Sequence, residues 1–170
     1  VLNSFLQVFR IIIKNYFLQT KNEPISKVFQ IYKQYTFLNN ELIEIEINPS
    51  TVLLDFIRSL KITGAKEGCK EGDCGACTVL SGKLIDDEVI YRTVNSCLIP
   101  VMNISGKHVV TIEGLNQENK ELNPIQQAFV DCGASQCGFC TPGFIVSLTG
   151  YFLNKRKPDH NNVIDSMDGN

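Results

Sequence analysis

Cys69, Cys74 and Cys77 stand at C-x4-C-x2-C spacing, in a run where glycine recurs at Gly64, Gly68, Gly72 and Gly75. A fourth thiol, Cys97, follows after nineteen residues. Three thiolates from one loop and one from a distant segment suit a [2Fe–2S] cluster. Such a core with four thiolates is anionic in both oxidation states, so burying it is costly unless donors surround it. Glycine lets the backbone adopt φ > 0 and bring N–H groups close to the sulfurs, where side chains would crowd them. Asp73 reads as a cap for the loop's own backbone, and Lys66 and Lys70 as partial compensation of charge.

The same residue types serve zinc and disulfides. Structural zinc usually takes two close pairs, which C-x4-C-x2-C with one distant partner fits poorly. Disulfides are disfavoured where no secretory signal stands out. A zinc-binding interaction module is therefore the weakest reading of these thiols.

A second pair, Cys137 and Cys140, forms C-x-x-C at the start of a helix. One reading is a thiol–disulfide motif, with a thiol pKa lowered by the helix N-terminus. That motif is expected after a strand, whereas a helix and a turn precede this one. The other reading is half of a metal site needing two more ligands. Cys132 is the only spare thiol, and its place at the end of an apolar helix predicts a buried bystander.

The elements that must position these residues follow from patterning. Gln34–Leu38, Asn39–Asn40 and Glu41–Ile47 read as a hairpin, with Ile43, Ile45 and Ile47 on one face. Ser50 reads as the N-cap of a helix from Thr51 to about Lys61, with Leu53, Leu54, Ile57 and Leu60 inward and Gly64 ending it. Thr78–Leu80 is predicted as a short strand, Ser81–Gly82 as a turn, Glu88–Thr93 as a strand, and Lys107–Glu113 as the strand that closes the sheet. Cys97 falls in a loop before Pro100. Residues 114–123 are polar and read as a linker. Asn123 then caps a helix with Pro124 at its first position, running to about Val130. A second helix is predicted from Pro142 to about Asn154, and a third capped by Asp159.

The fold class is thus α+β: a small mixed sheet of the β-grasp kind over 34–113, then a small all-α half over 124–170. Residues 1–33 carry Leu2, Phe5, Leu6, Phe9, Ile12, Ile13 and Tyr16 at helical spacing. Arg10 and Lys14 interrupt any run long enough to span a bilayer. The first residue is Val1, and a fragment or an over-extended reading frame explains this extension better than a basic presequence. At 170 residues and 44% hydrophobic content the chain is long and apolar enough for a real core. A net charge of −2 argues against nucleic acid as a partner.

Taken together, Cys69-Lys-Glu-Gly-Asp-Cys74-Gly-Ala-Cys77-Thr-Val, Tyr91-Arg-Thr-Val-Asn-Ser-Cys97 and Ser135-Gln-Cys-Gly-Phe-Cys-Thr-Pro-Gly143 resemble the iron–sulfur region of the xanthine dehydrogenases, in the molybdenum hydroxylase family. The resemblance covers about residues 34 to 160. It implies a β-grasp 2Fe-2S ferredoxin-like domain followed by a small four-helix domain, each holding one [2Fe–2S] cluster, the first on Cys69, Cys74, Cys77 and Cys97 and the second on Cys137, Cys140 and a further cysteine pair about thirty residues on. The chain departs from that pattern at Asn170, just where the second pair falls due, and truncation is the expected reason. Gln136 resembles a family glutamine close to the molybdenum-pterin cofactor. By resemblance, electrons leave a purine at the molybdenum-pterin centre and pass through both clusters to FAD and then NAD. The implied partners are an FAD domain and a molybdenum-pterin subunit or domain, with no membrane and a cytoplasmic location. No substrate chemistry is expected of this chain alone. The iron–sulfur subunit of an aldehyde or related molybdenum dehydrogenase is the alternative, and a free-standing [2Fe–2S] ferredoxin is another. The latter would have no use for the helical half.

Overall fold

The computed structural model describes residues 34–48, 50–116, 121–154 and 159–167, so the helical pattern read in residues 1–33 lies outside it. Within these residues a five-stranded mixed sheet is followed by three helices. Strands β1 (Gln34–Leu38) and β2 (Glu41–Ile45) form the expected hairpin. Its turn is possible because Asn39 accepts φ 55, a left-handed value that asparagine tolerates. Helix α1 (Leu53–Ser59) follows, then the cysteine loop, β3 (Thr78–Ile85), β4 (Glu88–Asn95) and β5 (His108–Val110).

The spatial order is β2-β1-β5-β3-β4. Only the β1–β5 pairing is parallel, and β5 runs antiparallel to β3. The last strand does not close the sheet, as expected, but sits at its centre. It is also shorter than predicted, since Ile112–Leu115 is a 3₁₀ turn that takes up Gly114 and Leu115. Ser81 and Gly82 are not a turn either. Both lie inside β3, and the reversal comes at Asp86 and Asp87, with φ 47 and 64, the two-residue hairpin geometry that follows strand twist. Gly82 is in mid-strand because a Cβ there would lie 2.6 Å from Tyr91 Cε1 across the ladder.

Alternation along the strands gives the sheet two buried faces. Val79 and Val109 pack with Leu53, Leu54, Phe56 and Ile57 of α1 on one side. Leu80, Tyr91 and Val110 pack on the other with Val146 of α3 (Thr141–Leu153). Leu60, expected inward, is half-exposed because α1 stops at Ser59 and Lys61 turns the chain with φ 63. Helix α2 (Pro124–Asp131) begins with the expected Asn123 cap, elaborated into a capping box with Gln126. Helix α4 (His160–Asp165) is capped by Asp159, whose carboxylate accepts from Asn162 N–H. The architecture is α+β, a β-grasp sheet followed by a helical unit.

The two halves are in direct contact. A Cβ on Gly150 of α3 would lie 2.8 Å from Leu80 Cδ2 and 3.1 Å from Thr93 Cγ2, so the helix rides close on β3 and β4 at this glycine, and a larger residue would have to displace those side chains. Asn154 Nδ2 donates to the Tyr91 carbonyl at 2.9 Å, fixing the far end of α3 to β4.

Candidate metal centre

Helix α1 opens without a side-chain cap, and Ser50 instead donates to Asn48 Oδ1 from both its N–H and its hydroxyl. The orphan N–H groups of the first turn must find acceptors elsewhere. They find them in the Cys97 segment: Leu53 N–H donates to the Ile99 carbonyl (2.7 Å) and Leu54 N–H to that of Ser96 (3.0 Å). Ser96 in turn donates its hydroxyl to the Cys77 carbonyl at 2.7 Å. One helix end and one serine thus hold Cys97 beside Cys77. Their sulfurs are 3.4 Å apart and both residues are buried, at 8% and 2% exposure.

The loop bearing the other two thiols is held at both ends. Arg58 Nη1 donates to the Ala65 carbonyl (3.2 Å), Gly64 N–H to Glu113 Oε1 (2.6 Å) and Lys66 N–H to the Ala76 carbonyl (2.9 Å). In its middle, Asn95 Nδ2 donates to the Gly72 carbonyl at 2.6 Å. Lys70 and Gly72, at φ 61 and 78, curl the backbone so that its N–H groups point inward. Glu71, Asp73 and Cys74 N–H all donate to Cys69 Sγ at 3.3 to 3.4 Å, and Cys69 N–H donates to Cys74 Sγ at 3.4 Å. Asp73 therefore serves the loop through its N–H, where its carboxylate had been expected to act. The two lysines are engaged elsewhere: Lys66 donates to the Thr63 carbonyl and Lys70 pairs with Glu67 at 3.1 Å. Backbone dipoles therefore provide the donors at the sulfurs.

These donors act on the thiols. The N–H groups of Glu71, Cys74 and Asp73 favour the thiolate of Cys69 and bring its pKa down to about 6. Cys97 goes the other way, pushed up to about 11 by burial, then by the Cys77 thiol facing it and, last, by the charge of Cys69, against a lowering hydrogen bond from the Gly72 backbone. Cys97 is thus near both the loop and Cys77.

The four thiols form two pairs, Cys69 with Cys74 and Cys77 with Cys97. Among the described residues no group of three or more His, Cys, Asp or Glu could hold a single metal ion. Four thiols, three from one loop and one from a distant segment, are the donor chemistry that a [2Fe–2S] cluster would use. Gly68 supplies the space, since a Cβ there would lie 2.6 Å from Cys74 Sγ. The residues present fit a [2Fe–2S] cluster.

Cys137 and Cys140 are exposed, in the turn before α3, with Gly138 at φ 81 between them. Ser135 and Thr141 brace that turn by a hydroxyl–hydroxyl bond of 3.0 Å, and Gln136 is exposed on it. Cys132 is not buried, as expected, but exposed at the C-cap of α2. Only Gln126 of that helix is buried, and the chain turns away at Gly133 with φ 58. Reading the sequence also missed Arg58, Asn95, Ser96 and Glu113, whose partners lie between seven and forty-nine positions away.

Two family models match in tandem. A 2Fe-2S iron-sulfur cluster binding domain matches residues 36–102, and a [2Fe-2S] binding domain matches 111–170. Xanthine dehydrogenase of Dictyostelium discoideum is 40% identical over 140 residues, covering 79% of this chain and 10% of that protein. Aldehyde oxidase of Homo sapiens is 36% identical over 133 residues, covering 76% and 10%. The chain thus spans about a tenth of the length of the curated relatives it matches. A solved structure of quinoline 2-oxidoreductase from Pseudomonas putida 86 superposes with a TM-score of 0.69 at 31% identity, covering 84% of this chain and 83% of that one. The tandem domains, the relatives and the paired thiols together establish that this chain belongs to the molybdenum hydroxylase family, as a [2Fe–2S]-binding segment of it.

Proposed function

We propose that the chain is the electron-relay segment of an oxidoreductase of the xanthine dehydrogenase kind. When bound, its two [2Fe–2S] clusters would supply one-electron redox chemistry between a molybdenum-pterin centre and FAD, with NAD as the final acceptor. In this reading Cys69, Cys74, Cys77 and Cys97 hold the first cluster. Cys137 and Cys140 give two thiolates of the second, and Gln136 lies towards the pterin. The domain division falls at 34–113 and 124–170, joined by 114–123. The partners are the flavin and molybdenum-pterin domains of the same enzyme, in the cytoplasm. No helix among the described residues is long and apolar enough to cross a membrane.

The observation that carries this reading is the pairing of the four thiols beside a loop of inward N–H groups. Those groups offset the negative charge of the sulfurs, and the buried Cys77–Cys97 pair keeps one side out of water, the two levers by which a protein tunes such a centre. Anaerobic reconstitution of the chain with iron and sulfide tests it. Visible absorption and an EPR signal on reduction are expected, and a colourless, iron-free product refutes it.

The aldehyde branch is the second reading, favoured by the 36% identity to human aldehyde oxidase. Turnover of the native full-length enzyme with a purine and with an aldehyde separates the two.

A further inference from the structure

The two cysteine motifs meet at one side chain. A Cβ built on Gly68 would lie 2.6 Å from Cys74 Sγ and 3.5 Å from Phe139 Cε1, so the sulfur and the ring edge flank the same point. Phe139 lies between Cys137 and Cys140, and the φ of 81 at Gly138 sets the backbone from which its ring reaches the first loop. The ring is 46% exposed and belongs to none of the hydrophobic core clusters, so burial in a core does not account for its position. The Cys77–Cys97 side of the first centre is closed by the core itself. The Cys69–Cys74 side is only partly buried, and Gly68 carries no side chain to cover it.

We propose that Phe139 is a positioning residue for the first metal centre: it covers the Cys74 side against water and docks the second cysteine motif onto the first loop. This rests on the reading of Cys69, Cys74, Cys77 and Cys97 as cluster ligands. An apolar ring edge beside a thiolate limits solvent access, and the surroundings of a metal site govern its retention. Gly68 and Phe139 are then complementary, since the missing side chain of one makes the space that the ring of the other borders.

The test uses the whole chain, reconstituted anaerobically, as wild type, Phe139→Ala and Phe139→Leu. Loss of the first cluster's EPR signal to an iron chelator is timed, and deuterium coupling to the reduced cluster is measured after transfer to D2O. Phe139→Ala is expected to hold iron about tenfold less tightly, the lower end of the loss of affinity when an outer partner of a metal ligand is removed, to release it correspondingly faster, and to couple more strongly to deuterium. Phe139→Leu, which keeps an apolar cover, is expected to stay close to wild type. Far-UV circular dichroism should be the same for all three.

If Phe139→Ala matches wild type in both release and deuterium coupling, the inference is overturned. Equal acceleration in both variants with loss of helical signal overturns it too, since the ring would then serve only the fold. A wild-type chain that takes up no iron overturns the relay reading as well, whereas a loaded wild type matched by Phe139→Ala overturns only the role of the ring.

Discussion

Cys77 Sγ and Cys97 Sγ lie 3.4 Å apart, although nineteen residues separate them in the chain. The pair is built into the core that α1 forms with the sheet, so one end of the proposed metal site and the hydrophobic core are a single object. Cys77→Ala or Cys97→Ala should abolish the first cluster's visible absorption and EPR signal, because three thiolates leave an iron under-ligated. The methyl replaces a thiol of modest size, so the apo fold should persist by circular dichroism. An unchanged iron count would contradict the pairing.

Gly72→Ala should be more damaging than its size implies. The position has φ 78, and a Cβ there would run into Leu98 Cδ1 next to Cys97. Left-handed backbone alone costs an alanine about 1–2 kcal/mol. Thermal denaturation and cluster content should both fall, and the loop's hydrogen bond from Asn95 to the Gly72 carbonyl should be lost with them.

His108 makes stability depend on pH. It is fully buried, with Nε2 donating to the Asn39 carbonyl and Nδ1 accepting from the Tyr91 hydroxyl, both at 2.7 Å. Burial holds its pKa down to about 4, against a raising influence from the Asn39 carbonyl. The unfolded chain takes up this proton near pH 6.5, so between 6.5 and 4 it binds more protons than the folded one. Stability is therefore full above pH 6.5 and falls as the pH drops through about 4, by about 3 kcal/mol in all. Urea denaturation at stepped pH should show this slope in wild type and lose it in His108→Gln.

Gly150→Val tests the junction of the halves. A side chain at this position meets Leu80 and Thr93 closer than van der Waals contact allows. Overpacking of this kind costs about 1–3 kcal/mol. Far-UV melting should show the loss, and the hydrogen bond from Asn154 to the Tyr91 carbonyl should weaken with it.

Cys132→Ser should leave iron content and EPR signals unchanged, since this thiol is exposed at a helix C-cap and lies in neither motif. Loss of a cluster would make it a ligand.

The gathering of the cysteine loop was legible because its pattern is local: cysteine spacing and glycine recurrence are written along one short run. The Asn123 cap was legible for the same reason, its partners being two and three residues away. What failed was whatever depended on distant residues. Ser81–Gly82 has turn composition, but Tyr91 across the ladder is what requires the glycine. Ser50 has cap composition, yet the carbonyls that serve α1 belong to Ser96 and Ile99. The central place of β5 depends on two neighbours, β1 and β3, that no periodicity within His108–Val110 could name.

The contact of Gly150 with Leu80 has a mechanical meaning. Cys77 is the residue before β3, and Cys140 the residue before α3. Strand and helix cross where that glycine meets that leucine, so the gap between the thiol motifs is gauged by two stiff rods clasped at one point.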